Sequence, residues 1–406
     1  MIAIRGLLIL LLVFNAFISY ADRTNMSVAI IHLADRFNYS ESQIGIQFSV
    51  FCLGYGISQS ISGYFSDKYG SKWVLTFACV FWSTSELLTI YAASRWTLFL
   101  IVRFCLGLGE GLAFPAIHSF ISKWLLKSEH SKAVSLLHAA CYMGTIFALL
   151  ITPFLLQHSF QLVFVVFSLM GAVWTPLWIV FGSSYPSDSK WISEQEKVLI
   201  TATKEQRSNR IIPWQKILSS KPFWAIIIVH YANTFPITIL LFYLPIFLKT
   251  YNFTTVQLSL LAIIPNILQM VMLVFANMIN SLSLSKKFKR NLFQQTAMII
   301  PAFCTLVFRH LPKIPGLMVL FLGIGFSAWS VVGVQLNHLD ISPKYSGLVY
   351  GLGNTAASLP GIFGLALVGW LQQVASWDFI FGLQIVHYFI AIVVWKCWSS
   401  TNISIA

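Results

Sequence analysis

The chain has 406 residues, 57% of them hydrophobic and 10% charged, with a mean hydropathy of +0.76 and a formal net charge of +13. Soluble domains carry about 25% charged residues, so this composition excludes an ordinary soluble fold. The basic excess must then reflect either membrane topology or a polyanionic partner such as a nucleic acid.

Apolar stretches able to cross hydrocarbon ~30 Å thick, which takes about 20 helical residues, recur along the whole sequence. They lie near 7–31, 44–66, 73–93, 96–119, 133–157, 160–182, 222–248, 256–281, 292–308, 315–338, 346–371 and 377–397. Twelve such stretches predict an all-α membrane protein. The polar segment 183–221 interrupts them after the sixth, giving a six-helix half over 1–182, a linker over 183–221 and a second six-helix half over 222–406. A short helix is expected within SEQEKVLITATKEQ, where Ser193 and Glu196 have capping-box spacing. Without gaps, 131–156 lies on 346–371, each starting at a Ser after a basic loop and carrying small residues at matching depth. Two parallel six-span halves around a midplane site are a transporter plan that supports alternating access.

Sorting the basic residues by side decides what the charge means. With a cytosolic N-terminus, 19 of the 26 Lys and Arg fall on the cytosolic side and five on the other, while Arg23 and Arg103 lie within spans. That is the positive-inside bias. It puts both termini in the cytosol and removes the case for a nucleic-acid partner. The N-x-S/T triplets at Asn38 and Asn252 fall on the non-cytosolic side, where they could accept glycans. The six cysteines lie in or at the edges of spans without metal-ligand spacing and read as buried thiols. No cleavable leader is expected before the first span, so plastid import is not expected. An endomembrane (Golgi or vesicle) or the plasma membrane is the expected location, with the protein a monomer.

Five ionisable residues other than His sit at membrane depth: Asp22, Arg23, Glu86, Arg103 and Glu110. Each costs about 2.5–3.5 kcal/mol or more to insert, and such residues mark substrate or ion pathways. Asp22 and Arg23 are adjacent and therefore about 100° apart on a helix, so each needs a partner from elsewhere. Arg103 and Glu110 are seven apart, on one face but separated by roughly 10 Å of rise, too far for a tight bridge. Two guanidiniums in one cavity favour an anion, which Arg grips with a two-pronged fork. A desolvated Asp22 or Glu110 could carry a proton. Glu86 is expected nearer an interface, with a structural role favoured. Tyr55, Tyr142 and Asn354 are polar groups able to orient a substrate. His118, His138 and His230 read as hydrogen-bonded packing residues, and the glycines at 107, 109, 111, 351, 353, 361 and 364 as close helix packing. No HExxH, GxSxG or P-loop pattern occurs, so neither an enzyme nor a resident cofactor or metal is expected.

GYFSDKYGSK (63–72) resembles the loop between the second and third helices of the major facilitator superfamily, with Gly63, Asp67, Lys68, Gly70 and Lys72 in place. The resemblance makes those residues a conformational gate. The second-half counterpart, NSLSLSKKFKR, keeps basic charge without the Gly and Asp, so a matching gate is not expected there. DRTNMSVAI, FCLGYGISQSISG, RFCLGLGEGLAFPAIHSFISKW, IPWQKIL with PFWAI, and LNHLDISPKYSGLVYGLGNTAASLPGI further resemble its anion:cation symporter branch. That branch includes sodium–phosphate, sialate and vesicular glutamate transporters, and the plant type-4 phosphate group looks nearest. The resemblance implies that Arg23 binds the anion, that Asp22 and Glu110 couple protons with Arg103 beside them, and that Tyr55, Tyr142 and Asn354 surround the substrate. Asn233 stands near the position of a seventh-span arginine in glutamate carriers. The implied function is symport of a small anion, phosphate first, with protons or sodium. An organic-anion carrier (sialate, ascorbate, nucleotide or glutamate-like) and a non-transporting receptor are the alternatives.

Overall fold

The computed structural model describes residues 4–202, 214–342 and 346–402. Twelve helical segments among them are long and apolar enough to cross a membrane: Ile4–Phe37, Glu41–Gly63, Ser71–Ala92, Trp96–Ile121, Lys132–His158, Phe160–Phe181, Lys221–Lys249, Val256–Asn280, Lys286–His310, Lys313–His338, Gly351–Val374 and Trp377–Trp398. They are numbered here as the first to twelfth spans. The chain is an integral, multi-pass, all-helical membrane protein. It divides into two compact units, residues 1–39 with 50–210, and residues 40–49 with 211–406.

In the first unit the first span packs on the fifth and sixth, and the third on the fourth and sixth. Its core centres on the buried rings of Trp82, Trp124, Trp174 and Trp178 with Leu8, Leu12 and Phe120. A buried indole N–H needs an acceptor, and three of these find backbone carbonyls. Trp174 donates to Leu11 at 2.7 Å, Trp178 to Lys72 at 3.0 Å and Trp124 to Ser183 at 3.0 Å. The Trp178 bond holds the sixth span against the start of the third, and the Trp124 bond holds the segment after the sixth span against the helix end beyond the fourth.

That loop turns at Gly70, whose φ of 91° lies where side chains are strained. A Cβ there would also collide with the Ser184 side chain, whose hydroxyl accepts from the Lys72 N–H at 3.2 Å. Gly70→Ala should therefore destabilise the protein by about 1–3 kcal/mol from the backbone conformation alone, with the collision adding to it, and so lower its melting temperature in detergent. Equal melting of mutant and parent would refute this.

The linker helix Glu194–Ala202 follows the expected cap only in part. Ser193 Oγ accepts from the Glu196 N–H at 3.3 Å. The Glu196 carboxylate does not close the box, because Arg5 Nε takes it at 3.1 Å while Arg5 Nη1 reaches Glu129 at 3.1 Å. Ile200 is buried in the tryptophan core, so this helix is anchored to the first unit by one apolar and one ionic contact.

In the second unit the seventh span packs on the eleventh and twelfth, and the ninth on the tenth and twelfth. Phe247, Phe308, Trp377 and Phe381 form a ring cluster with centroids 4.8–5.1 Å apart for its closest pairs. The eleventh span carries one π-helical turn, Pro360–Gly364. The acid missing from the basic segment 280–290 comes from elsewhere. Arg290 Nε donates to Asp340 at 2.7 Å and its Nη1 to the Val332 carbonyl at 3.0 Å.

The two N-x-S/T triplets acquire a structural explanation. NYSESQ (38–43) and NFTTVQ (252–257) follow the first and seventh spans. In both, the Asn adopts positive φ, 56° and 60°. The Ser40 or Thr254 hydroxyl and the Gln43 or Gln257 side chain then exchange hydrogen bonds with backbone N–H groups in reciprocal capping boxes. A helix stop followed at once by a helix start requires this residue pattern, whatever modification the exposed asparagines receive.

Candidate substrate and coupling site

The first span presents its charges on two faces. Ser19, Tyr20 and Arg23 share one face through i,i+3 and i,i+4 spacing, and Asp22 and Asn25 share another. On the first face, Arg23 Nη2 donates to Glu110 Oε2 at 2.9 Å, and Ser19 Oγ donates to the same oxygen at 3.2 Å. Both partners are buried, Glu110 completely. The Arg23 guanidinium lies 4.5 Å from the Tyr55 ring centroid, 4.8 Å from Tyr20 and 5.3 Å from Phe51. Aromatic faces attract such cations, the more so when desolvated. Arg23 Nε has no partner.

Arg103 also lies over Phe51, its guanidinium carbon 4.9 Å from that ring centroid. It is fully buried, and Nε, Nη1 and Nη2 all lack a hydrogen-bond acceptor. Guanidinium stays charged in proteins and offers five donors. A buried guanidinium with none of its donors satisfied carries a desolvation cost. Arg103 and Glu110 do not bridge, as their spacing on the helix requires.

The second face meets the third span. Asn25 Nδ2 donates to Glu86 Oε1 at 2.6 Å. Both Asp22 oxygens are buried without a hydrogen-bond partner. Glu86 departs from expectation: it is fully buried and belongs to this polar centre, not to an interface. The helical period displays it, since Glu86 is four residues from Trp82 on one face, but its neighbours in sequence carry no charge that points to Asn25.

Close helix approach positions the cluster. A Cβ on Gly107 would collide with the Phe51 carbonyl, and one on Gly111 with the Tyr55 carbonyl. These glycines let the second span approach until Phe51 and Tyr55 reach the two arginines. The helix of the fourth span breaks at Leu112, just beyond Glu110, and the Leu112 carbonyl there accepts from Ser62 Oγ at 2.6 Å.

Of the other expected residues, Tyr142 lies close to Tyr20, with Cys141 beside it near Arg23. Ser19, Tyr20, Asn25, Phe51 and Trp82 are additions from the structure; for Ser19, Tyr20, Asn25 and Trp82 the i,i+3 or i,i+4 spacing from a charged residue is the signal that could have found them, whereas Phe51 on the second span has none. Asn354 belongs to the other unit, where its carbonyl accepts from Ser358 Oγ at 3.0 Å. Among the gate residues, Gly70 and Lys72 form the contacts to Ser184 described above. A Cβ on Gly63 would meet nothing within 4 Å. The side chains of Asp67 and Lys68 lie outside the described residues.

A family model described as Major Facilitator Superfamily matches residues 12–364. The chain is 35% identical over 410 residues to an ascorbate transporter, chloroplastic, of Arabidopsis thaliana, covering 98% of this chain and 75% of the relative. It is 33% identical to sodium-dependent phosphate transport protein 1, chloroplastic, of the same plant, covering 97% and 78%. In fold it is similar to the inward-open xylose transporter XylE of E. coli, with a TM-score of 0.78 at 15% identity over 97% of this chain and 96% of that one. Sequence and fold agree: the chain belongs to the Major Facilitator Superfamily.

Proposed function

We propose that this protein is a secondary active transporter of a small anion, with inorganic phosphate as the first candidate, working by alternating access. The observation that carries the reading is Arg103, a fully buried guanidinium whose three nitrogens have no acceptor. A tetrahedral oxyanion can fill such a vacancy with several short charge-assisted bonds. Arg23 stands ready as the second cation, released from Glu110 when an anion competes for it. The Arabidopsis relative named as a sodium-dependent phosphate transporter supports phosphate.

In this mechanism Glu110 holds Arg23 when the site is empty. Protonation of Glu110 frees Arg23 for the anion, and loss of that proton re-forms the pair and expels the anion. Asp22 is assigned to proton coupling beside it. Tyr55 and Tyr142 are assigned to orienting the substrate within the first unit. Gly63, Asp67, Lys68, Gly70 and Lys72 act as the gate between states. The charge bias supports cytosolic termini.

An organic anion such as ascorbate is the second reading. The rings of Tyr20, Phe51 and Tyr55 around Arg23 suit a carbon-bearing anion, and the ascorbate transporter of Arabidopsis is 35% identical. Uptake of labelled phosphate and ascorbate into proteoliposomes, with proton, sodium and voltage gradients imposed separately, decides among these. Phosphate accumulation under one of the gradients is the expected result. No uptake of either anion under any gradient would sink the transport reading.

A further inference from the structure

The buried charges of the first unit do not match one to one. Arg23 is taken by Glu110. Asp22 and Asn25 lie three residues apart on the other face of the first span, and the third span sets Trp82 and Glu86, four apart, against them. The 2.6 Å bond from Asn25 satisfies only one oxygen of Glu86. The second Glu86 oxygen and both Asp22 oxygens are shut away from solvent with no donor. The Trp82 indole N–H is likewise buried without an acceptor.

Two donor-poor carboxylates in one dry pocket carry both a desolvation cost and mutual repulsion. One proton relieves both penalties, because a protonated carboxyl becomes a donor that its ionised neighbour accepts. It also balances the centre, leaving two carboxylates against the guanidiniums of Arg23 and Arg103.

We propose that Asp22 and Glu86 form a carboxyl pair that holds one proton between them, making Glu86 a further proton-handling residue of the transport cycle. Glu86 exerts the strongest attractive field on Arg103, ahead of Glu110. An anion arriving at Arg103 cancels that field and adds one negative charge, so the pair takes up a second proton as substrate binds. Departure of the anion releases it. The other charged or titratable groups around Glu86 are few. Asp22 comes from the first span, and Arg103 and Glu110 from the fourth. His118 and Lys123 lie farther along the chain, with Lys123 bound to the Ser66 carbonyl at 2.9 Å. The sixth span, also packed on the third, has no ionisable side chain.

The shared proton stands on geometry; only its use in transport rests on the proposed function. Infrared difference spectroscopy of the purified full chain in lipid, without substrate, should show a deuterium-sensitive protonated-carboxyl band. The band should be lost or shifted in both Asp22→Asn and Glu86→Gln. Glu86→Gln keeps the acceptor for Asn25 and nearly the same volume, and monodisperse elution with near-parental melting establishes that it is folded. In proteoliposomes the same variant should lose the part of uptake that depends on a pH gradient. A folded Glu86→Gln protein with an unchanged band overturns the pair, and one with full pH-gradient drive overturns the role in the cycle. A band that responds as expected in a protein that moves no anion leaves the pair standing while the transport reading falls.

Discussion

Arg23→Ala should abolish anion uptake and destabilise the protein together. The substitution removes the 2.9 Å partner of Glu110 and leaves a fully buried carboxylate with only Ser19 as a donor. Breaking one side of a buried ion pair costs about 3–5 kcal/mol. Arg23→Gln combined with Glu110→Gln removes both charges, so it should melt closer to the parent than Arg23→Ala does while remaining inactive. That non-additivity is the signature of two groups acting as a pair. Arg23→Lys should keep the ion pair but lose the planar fork and much of the stacking on Tyr20, Phe51 and Tyr55. Melting in detergent and uptake in proteoliposomes read the two effects separately. Unaltered uptake by Arg23→Ala would show that this charge only holds helices together.

Gly107→Ala should cost stability where the same change at Gly351 should not. Within an exposed helix Ala is favoured over Gly by about 1 kcal/mol, and a Cβ at Gly351 meets nothing within 4 Å. At Gly107 the added methyl meets the Phe51 carbonyl, a rigid backbone atom, so the second span has to move away. Overpacking of this kind costs about 1–3 kcal/mol, enough to reverse the sign. The displaced turn bears Phe51 and Tyr55, so the Gly107→Ala protein should also lose uptake beyond what its melting temperature explains. Equal melting of the two variants would mean that the close approach of these spans carries no strain.

Much of the site was legible because the membrane penalises charge so heavily. Asp22, Arg23, Glu86, Arg103 and Glu110 stand out in apolar stretches, and helical geometry alone separates Asp22 from Arg23 by about 100°. The same rule correctly denied a bridge between Arg103 and Glu110. Glu86 was misplaced because depth along a helix can be read from sequence, whereas the identity of the neighbouring helix cannot. Its role depends on Asn25, 61 positions away. The aromatic surroundings of Arg23 were missed for a related reason. In a chain with 34 Phe and 14 Tyr, no local pattern marks which rings will face a cation.

By itself, the sequence determined the class of the molecule and its twelve spans. Hydrophobic length is a local quantity set by the bilayer. Only the tertiary structure decided which buried charges are paired and which are left open. Pairing depends on side chains from different spans meeting at hydrogen-bond distance in a medium without water. There, Arg23 and Ser19 both donate to one oxygen of Glu110, while the three nitrogens of Arg103 meet no acceptor.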